Sequence, residues 1–272
     1  MVMLCKSLNS DKLELYAKVA QNKIAEVKED GDRMRMIVKN KEITLLNRTG
    51  KDVTFRYPEF TTIDLPDTTV DGEICVVNDR GVSVFNDGIA HRTHLKDPAL
   101  IKSAVKVYPV IFIAFDLLEL ENTNYRHRPF KERRDVLETI DIELHKNIQL
   151  VTQSKDIMGL WKYVTELGGE GIVIKDLNEF YYEGKRKDAW TKVKDVNETD
   201  LYFNGYEVQP RGITLTNNDE IRVVVNGEQS KEVRNIIDDN GIVHVTIRHL
   251  GEKTKNDKYR QPTFLKLVVE DC

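Results

Sequence analysis

The sequence predicts an α+β fold resting on antiparallel sheets, and three observations carry that reading. Runs with apolar residues at alternating positions recur at 34–38, 43–46, 69–77 and 110–118, separated by Asp, Asn and Gly turns, which is the period of strands. Helical periodicity falls at irregular intervals between them, not after every strand, which disfavours a doubly wound parallel sheet. Beyond Lys194 nearly every segment reads as strand.

Residues 11–22 place Leu13, Leu15, Tyr16, Val19 and Ala20 among polar positions and predict a short helix. A strand at 24–27 then leads into Lys28. Helices are expected at 97–105, 130–140 and 155–167, the last stopped by Gly168-Gly169. Asp195-Val196-Asn197-Glu198 is polar and reads as a junction. After it come strands at 200–208, 213–216, 221–225, 242–249 and 264–269, with one helix at 230–237. Five short strands and a helix suit a small barrel of the oligonucleotide-binding type. The expected domains are therefore 1–195 and 196–272, with a single domain carrying a β-rich tail as the alternative.

At 272 residues the chain can build a core without staples, and 40% hydrophobic with 32% charged residues is an ordinary globular composition. A net charge of -4 excludes a protein that coats nucleic acid over its whole surface, so any such surface is local. Lys185, Arg186, Lys187, Lys192 and Lys194 form one basic cluster. Cys5, Cys75 and Cys272 lack metal-ligand spacing and cannot all pair, which points to a reducing, intracellular compartment. His91-Arg92-Thr93-His94 has no companion cluster for zinc and reads as an exposed helix start. No apolar run approaches a membrane span, so no membrane partner is expected.

The most informative segment is Lys28-Glu29-Asp30-Gly31-Asp32-Arg33. A lysine amine attacks phosphorus only when neutral, so a nucleophilic Lys28 calls for desolvation or neighbouring cations that depress its pKa, and Arg33 is near in sequence. Gly31 would let the backbone approach a phosphate or sugar closely, with Asp30 steering the lysine head. A solvated hairpin turn is the plain alternative. Further segments follow in order: Asp71-Gly72-Glu73, Phe115-Asp116-Leu117-Leu118, Glu170-Gly171-Ile172-Val173-Ile174-Lys175 and Trp190-Thr191-Lys192-Val193-Lys194. Lys192 and Lys194 alternate on one strand and so share a face, where an anion between them would relieve their repulsion.

In that order the motifs resemble the covalent nucleotidyltransferase superfamily, and within it the ATP-dependent DNA ligases. Met3-Leu4-Cys5-Lys6 and Arg128-Pro129-Phe130-Lys131-Glu132-Arg133-Arg134 add to the likeness. The resemblance implies an antiparallel-sheet nucleotidyltransferase (adenylation) domain followed by a small all-β OB-fold barrel. It implies sealing of 5′-phosphate, 3′-hydroxyl nicks in duplex DNA, with ATP as substrate, Mg2+ or Mn2+ as metal, and a monomer acting inside the cell. By the same resemblance Lys28 carries AMP, Glu26 meets the adenine amino group, Glu73 a ribose hydroxyl, and Phe115 stacks on adenine. Arg33, Lys192 and Lys194 join the ATP site, Glu170 holds the metal, and Arg48 holds the nick 5′-phosphate. Lys175 fits its motif and flanks the site.

The family's terminal Arg-x-Asp-Lys element is not evident: the chain ends Phe264-Leu265-Lys266-Leu267-Val268-Val269-Glu270-Asp271-Cys272, with valine where the arginine is expected, so that either Lys266, Arg260 or Lys258 substitutes or self-adenylation is slow. The large amino-terminal DNA-binding domain of cellular ligases is not expected either, as in minimal viral and bacterial ligases. An RNA ligase, an mRNA-capping guanylyltransferase or an inactive nick-binding module are the alternatives on the same fold.

Overall fold

The computed structural model describes residues 1–142, 145–218, 220–251 and 258–268. The chain divides into two compact units, Met1–Lys194 and Asp195–Cys272. In the first, the strands are β1 (Leu4–Leu8), β2 (Lys23–Val27), β3 (Asp32–Lys39), β4 (Glu42–Asn47), β5 (Thr68–Cys75), β6 (Ile111–Leu120), β7 (Thr123–Asn124), β8 (Ile148–Leu150), β9 (Gln153–Ser154), β10 (Gly171–Asp176) and β11 (Arg186–Lys194). Its helices are α1 (Leu13–Val19), α2 (Ala90–Thr93), α3 (Pro98–Val107), α4 (Phe130–Thr139) and α5 (Ile157–Glu166).

These strands form two sheets. One runs β1-β11-β10-β2-β9, the other β4-β3-β5-β6-β7 with β8 beside β6. Pairing is antiparallel except at β1–β11, where Leu4 lies opposite Arg186, and at β6–β8. The expected antiparallel sheets are thus present with two parallel pairs added. β3 alternates because Met34, Met36 and Val38 face the core, whereas β5 is buried along nearly its whole length. Those residues join Leu45, Val70, Ile74, Phe112 and Leu117 in the largest core, closed by Leu137 of α4.

Helix ends follow their capping chemistry. Asp97 accepts from the amides of Ala99 and Leu100 at 2.7 and 3.2 Å with Pro98 in the first turn, and Asp156 accepts from Gly159 N at 2.9 Å. Helix α5 lays Ile157, Leu160 and Val164, with Leu13 of α1, over Ala25, Ile172, Ile174 and Val193 of the first sheet. Full burial of a leucine or isoleucine stabilises by about 1.5–3 kcal/mol, so this face fixes the sheet that carries Lys28.

The 91–94 segment departs from expectation. Arg92 is wholly buried and donates to both Glu59 oxygens, at 2.8 and 3.0 Å, and to the carbonyls of Tyr108 and Arg56. A partner carboxylate 33 residues away turns a charged helix inward, which local polarity cannot reveal. His91 stacks on Tyr108 with ring centroids 4.5 Å apart. Cys5 and Cys75 are free thiols, and Cys272 lies outside the described residues.

In the second unit, β12 (Val196–Phe203), β13 (Gly205–Gln209), β14 (Gly212–Thr216), β15 (Arg222–Asn226), α6 (Glu228–Asn240), β16 (Val243–Leu250) and β17 (Arg260–Leu267) make two antiparallel sheets, β12-β16-β17 and β13-β14-β15. Phe203, Leu215, Val223, Val225, Val233, Val245 and Ile247 form their common core. The polar junction is itself strand: Val196 pairs with Leu250 and Thr199 with Ile247, because one face of an edge strand tolerates polar residues. The single run expected at 200–208 is two strands that break at Asn204. Among the described residues no helix is long and apolar enough to cross a membrane.

Candidate active site

Lys28 leaves the end of β2, an inner strand between β10 and β9, and its amide donates to Gly171 O at 2.9 Å. Antiparallel pairing of Val27 with Ile172 brings Lys28 beside Glu170, the residue just before β10. The two side chains form an ion pair. The second Glu170 oxygen takes Lys194 Nζ of β11 at 2.7 Å. Glycine is required after Glu170: Gly171 has φ +138°, and a Cβ there would lie 2.1 Å from Val193 O. That close approach holds β10 against β11 where the lysines face the carboxylate.

Electrostatics follow from burial and from who faces whom. Burial works against the Lys28 charge, yet Glu170, Glu73 and Asp30 raise its pKa above the ordinary lysine value. Burial likewise opposes the Glu170 carboxylate, but Lys28 and Lys194 hold its pKa down. Glu73 is pushed by burial up to about 8, against the pull of Lys28 and Arg33, and Glu29 by burial up to about 7. Lys192 is lowered by burial and then by the repulsion of Lys194 and Lys28. Two ammonium groups, those of Lys28 and Lys194, therefore meet on Glu170, and Lys192 lies near enough to be repelled by both.

On the other side of Lys28 lies a slot of about 80 Å3, lined by Glu26, Arg33, Glu73, Phe115, Lys175 and Trp190 among others. Arg33 is bidentate to buried Asp71, at 2.7 and 3.1 Å, and its guanidinium lies 5.2 Å from the Phe115 ring and 5.3 Å from Trp190. Tyr181 also donates to Asp71, at 2.6 Å. Phe115 meets Trp190 edge to face at 5.9 Å. Below Phe115, Asp116 is bidentate to the fully buried Arg133 of α4 at 2.7 and 2.8 Å. The Arg133 guanidinium lies 5.4 Å from the Phe130 ring and 6.0 Å from the Tyr181 ring, so this paired, desolvated charge ties α4 to β6.

Of the residues singled out in sequence, Lys28, Glu170 and Lys194 meet, Lys192 lies near enough to feel the charges of both lysines, and Glu26, Arg33, Glu73 and Phe115 line the slot. Arg48 is exposed in the turn after β4 and is not among the lining residues. Two expectations about the lysine motif change. The Lys28 pKa is raised, not depressed, because carboxylates surround it and the Arg33 charge is matched by Asp71. Gly31 is needed for close packing on protein: a Cβ would meet Ile74 O at 2.4 Å. Sequence reasoning gave no role to Trp190, Asp71, Tyr181 or the Asp116–Arg133 pair. Trp190 was signalled, since it alternates in phase with Lys192 and Lys194 on β11.

Among the described residues no three His, Cys, Asp or Glu side chains converge as a metal cage. A hard divalent cation does not need one. Magnesium is held through one or two carboxylates together with substrate phosphates and water, and Glu170 beside the lysine cluster fits that pattern.

Two sheets, a lysine at the end of an inner strand, a carboxylate against it and an aromatic slot have the build of a covalent nucleotidyltransferase. The chain belongs to the family of the ATP dependent DNA ligase domain, whose model matches residues 2–194. It is 31% identical over 189 residues to the SPbeta prophage-derived DNA ligase-like protein LigB of Bacillus subtilis strain 168, covering 68% of this chain and 66% of that protein. With a DNA ligase of Sulfurisphaera tokodaii it shares 29% over 205 residues, 71% of this chain and 34% of the relative. The matched part thus spans about two thirds of one relative and a third of the other. Among solved structures, a Lig E DNA ligase superposes with a TM-score of 0.67 at 19% identity, covering 98% of each chain. The ligase domain of M. tuberculosis LigD gives 0.60 at 20%, covering 98% of this chain and 94% of that one. At such identities the likeness is one of fold.

Proposed function

We propose that the protein is an ATP-dependent DNA ligase that seals 5′-phosphate, 3′-hydroxyl nicks in duplex DNA. The observation that carries this reading is the meeting of Lys28 and Lys194 on Glu170, with Lys192 near enough to feel both ammonium charges, beside an aromatic slot. In the first step neutral Lys28 Nζ attacks the α-phosphorus of ATP, a P–N bond forms, the P–O bond to pyrophosphate breaks, and the nitrogen releases one proton to solvent, leaving a lysine-AMP phosphoramidate. AMP then passes to the 5′-phosphate of the nick, freeing Lys28. Finally the 3′-hydroxyl displaces AMP, closing the phosphodiester. Each is an in-line displacement at phosphorus, where positioning and charge neutralisation dominate.

The residues have separate tasks in this reading. Phe115 and Trp190 present ring surface to the base, where stacking contributes about 1–3 kcal/mol. Glu26 accepts from the adenine amino group, Glu73 from a ribose hydroxyl, and Arg33, held by Asp71, borders the same slot. Lys192 and Lys194 hold the triphosphate. Glu170 holds Mg2+ or Mn2+, which when bound neutralises phosphate charge. Engaging Glu170 elsewhere also removes the strongest of the carboxylates that keep Lys28 protonated, so nucleotide loading itself helps prepare the nucleophile. Arg48 is assigned to the 5′-phosphate of the nick, suited by its bidentate fork. Residues 1–195 act as the adenylation domain and 196–272 as an OB-fold barrel, a reading supported by the two small sheets around one core with α6.

The test is covalent labelling with α-labelled ATP or GTP and magnesium, read on a denaturing gel. Label from ATP that is absent in Lys28→Ala and Lys28→Arg is expected, since guanidinium stays protonated. Label from GTP alone would indicate capping chemistry, and none at all a nick-binding module.

A further inference from the structure

Lys175 lies under the slot with 1% of its surface exposed. Its Nζ donates to Phe115 O at 2.8 Å, pairs with Glu26 Oε2 at 2.6 Å, and sits 4.3, 4.4 and 4.9 Å from the ring centroids of Trp190, Phe130 and Phe115. A buried ammonium is costly unless fully partnered, and this one is partnered by the two elements that reach the slot independently, β2 through Glu26 and β6 through Phe115. The other Glu26 oxygen lies 3.9 Å from Arg134 Nη1, and both atoms are buried without a hydrogen-bond partner.

We propose that Lys175 is a positioning residue for nucleobase choice, holding Glu26 as a hydrogen-bond acceptor and Phe115 in place, so that the slot takes a purine with an amino group at C6 and rejects one with a keto oxygen there. The inference rests on the slot being the nucleotide site. Glu26 faces Lys175 of β10, Arg134 of α4 and Asp116 of β6; burial pushes its pKa up, while Lys175 and Arg134 oppose that rise. Burial pushes Lys175 down, and the three surrounding rings favour its charged form. Without the ammonium Glu26 takes up a proton. One of its oxygens then donates instead of accepting, and adenine loses its advantage over guanine.

Equilibrium binding of AMP and GMP to the full chain, by titration calorimetry, tests this alongside covalent labelling. Lys175→Met removes the charge and the hydrogen bonds. Lys175→Gln keeps donors for Phe115 O and Glu26 without the charge, so it guards against a variant that fails to fold. Wild type should prefer AMP, and each folded variant should lose about tenfold or more of that preference at neutral pH. In Lys175→Gln the preference should return as pH rises and Glu26 ionises again, which a merely structural role would not produce. An unchanged AMP-to-GMP ratio in a variant that melts like wild type overturns the inference, as does a wild type that binds both nucleotides alike or neither. AMP preference without any covalent label would overturn the ligase reading and leave this one standing.

Discussion

Replacing Glu73 by glutamine should stabilise the nucleotide-free protein and weaken its hold on nucleotide. Glu73 sits on β5 opposite Arg33, and burial lifts its carboxyl from 4.5 to about 8. Because the folded chain then binds a proton that the unfolded chain has released, stability falls as pH rises from 4.5 through about 8. That span, at about 1.4 kcal/mol per unit, caps the penalty at about 5 kcal/mol above the upper pKa. Glu73 is only partly buried, so solvent screening brings the expected gain to roughly 2 kcal/mol for Glu73→Gln at pH 8. The variant mimics the protonated form, so the gain should vanish at pH 4. Urea denaturation of both proteins at steps from pH 4 to 8.5 measures it, and the difference between them cancels other titrating groups such as Glu29. Two curves that stay parallel over that range would refute the reasoning. AMP affinity should fall in the same variant above about pH 8, where the wild-type group is ionised, since a neutral amide accepts less strongly than a carboxylate.

Other outcomes follow from the same geometry. Glu170→Ala should raise the magnesium requirement of self-adenylation and cut its rate without a comparable loss of DNA binding; an unchanged metal titration would remove Glu170 from the metal. Arg133→Met strands the buried Asp116 carboxylate and should cost about 3–5 kcal/mol in chemical denaturation, much of it recovered by adding Asp116→Leu. Arg48→Ala, at an exposed turn, should leave labelling by ATP intact and slow transfer of AMP to the nick. Equal sealing rates in single-turnover assays would deny it the phosphate role.

Strands β3 to β6 were legible because one face of each is apolar or because turn residues bound the run, and α3 to α5 because of their apolar period, with a capping aspartate before α3 and α5. β1 was not, since Leu4–Leu8 carries little alternation and its partner strand lies about 180 residues on. Motif residues could be gathered around Lys28 by resemblance, but resemblance does not say which charges meet. That Arg33 faces Asp71, that Glu170 is shared by Lys28 and Lys194, and that Lys175 sits inside the site instead of beside it all depend on sheet register. Arg92 shows the same limit outside the site: its partner Glu59 is close only after folding.

The pairing of β1 with β11 makes the first unit a loop fastened by its own two ends. Leu4 cannot meet Arg186, nor Ser7 meet Lys192, until almost the whole unit has left the ribosome. Contacts of such sequence separation form late, because loop-closure entropy must be overcome before they contribute. During synthesis the chain therefore carries Lys28 for a long interval without a completed wall of cations opposite it. The strand bearing Lys192 and Lys194 gains its outer neighbour only when the amino-terminal segment returns to it. In the proposed reaction, self-modification by nucleotide is thereby tied to completion: an abortive chain that stops short of Lys194 holds Lys28 without the lysines proposed to hold the triphosphate.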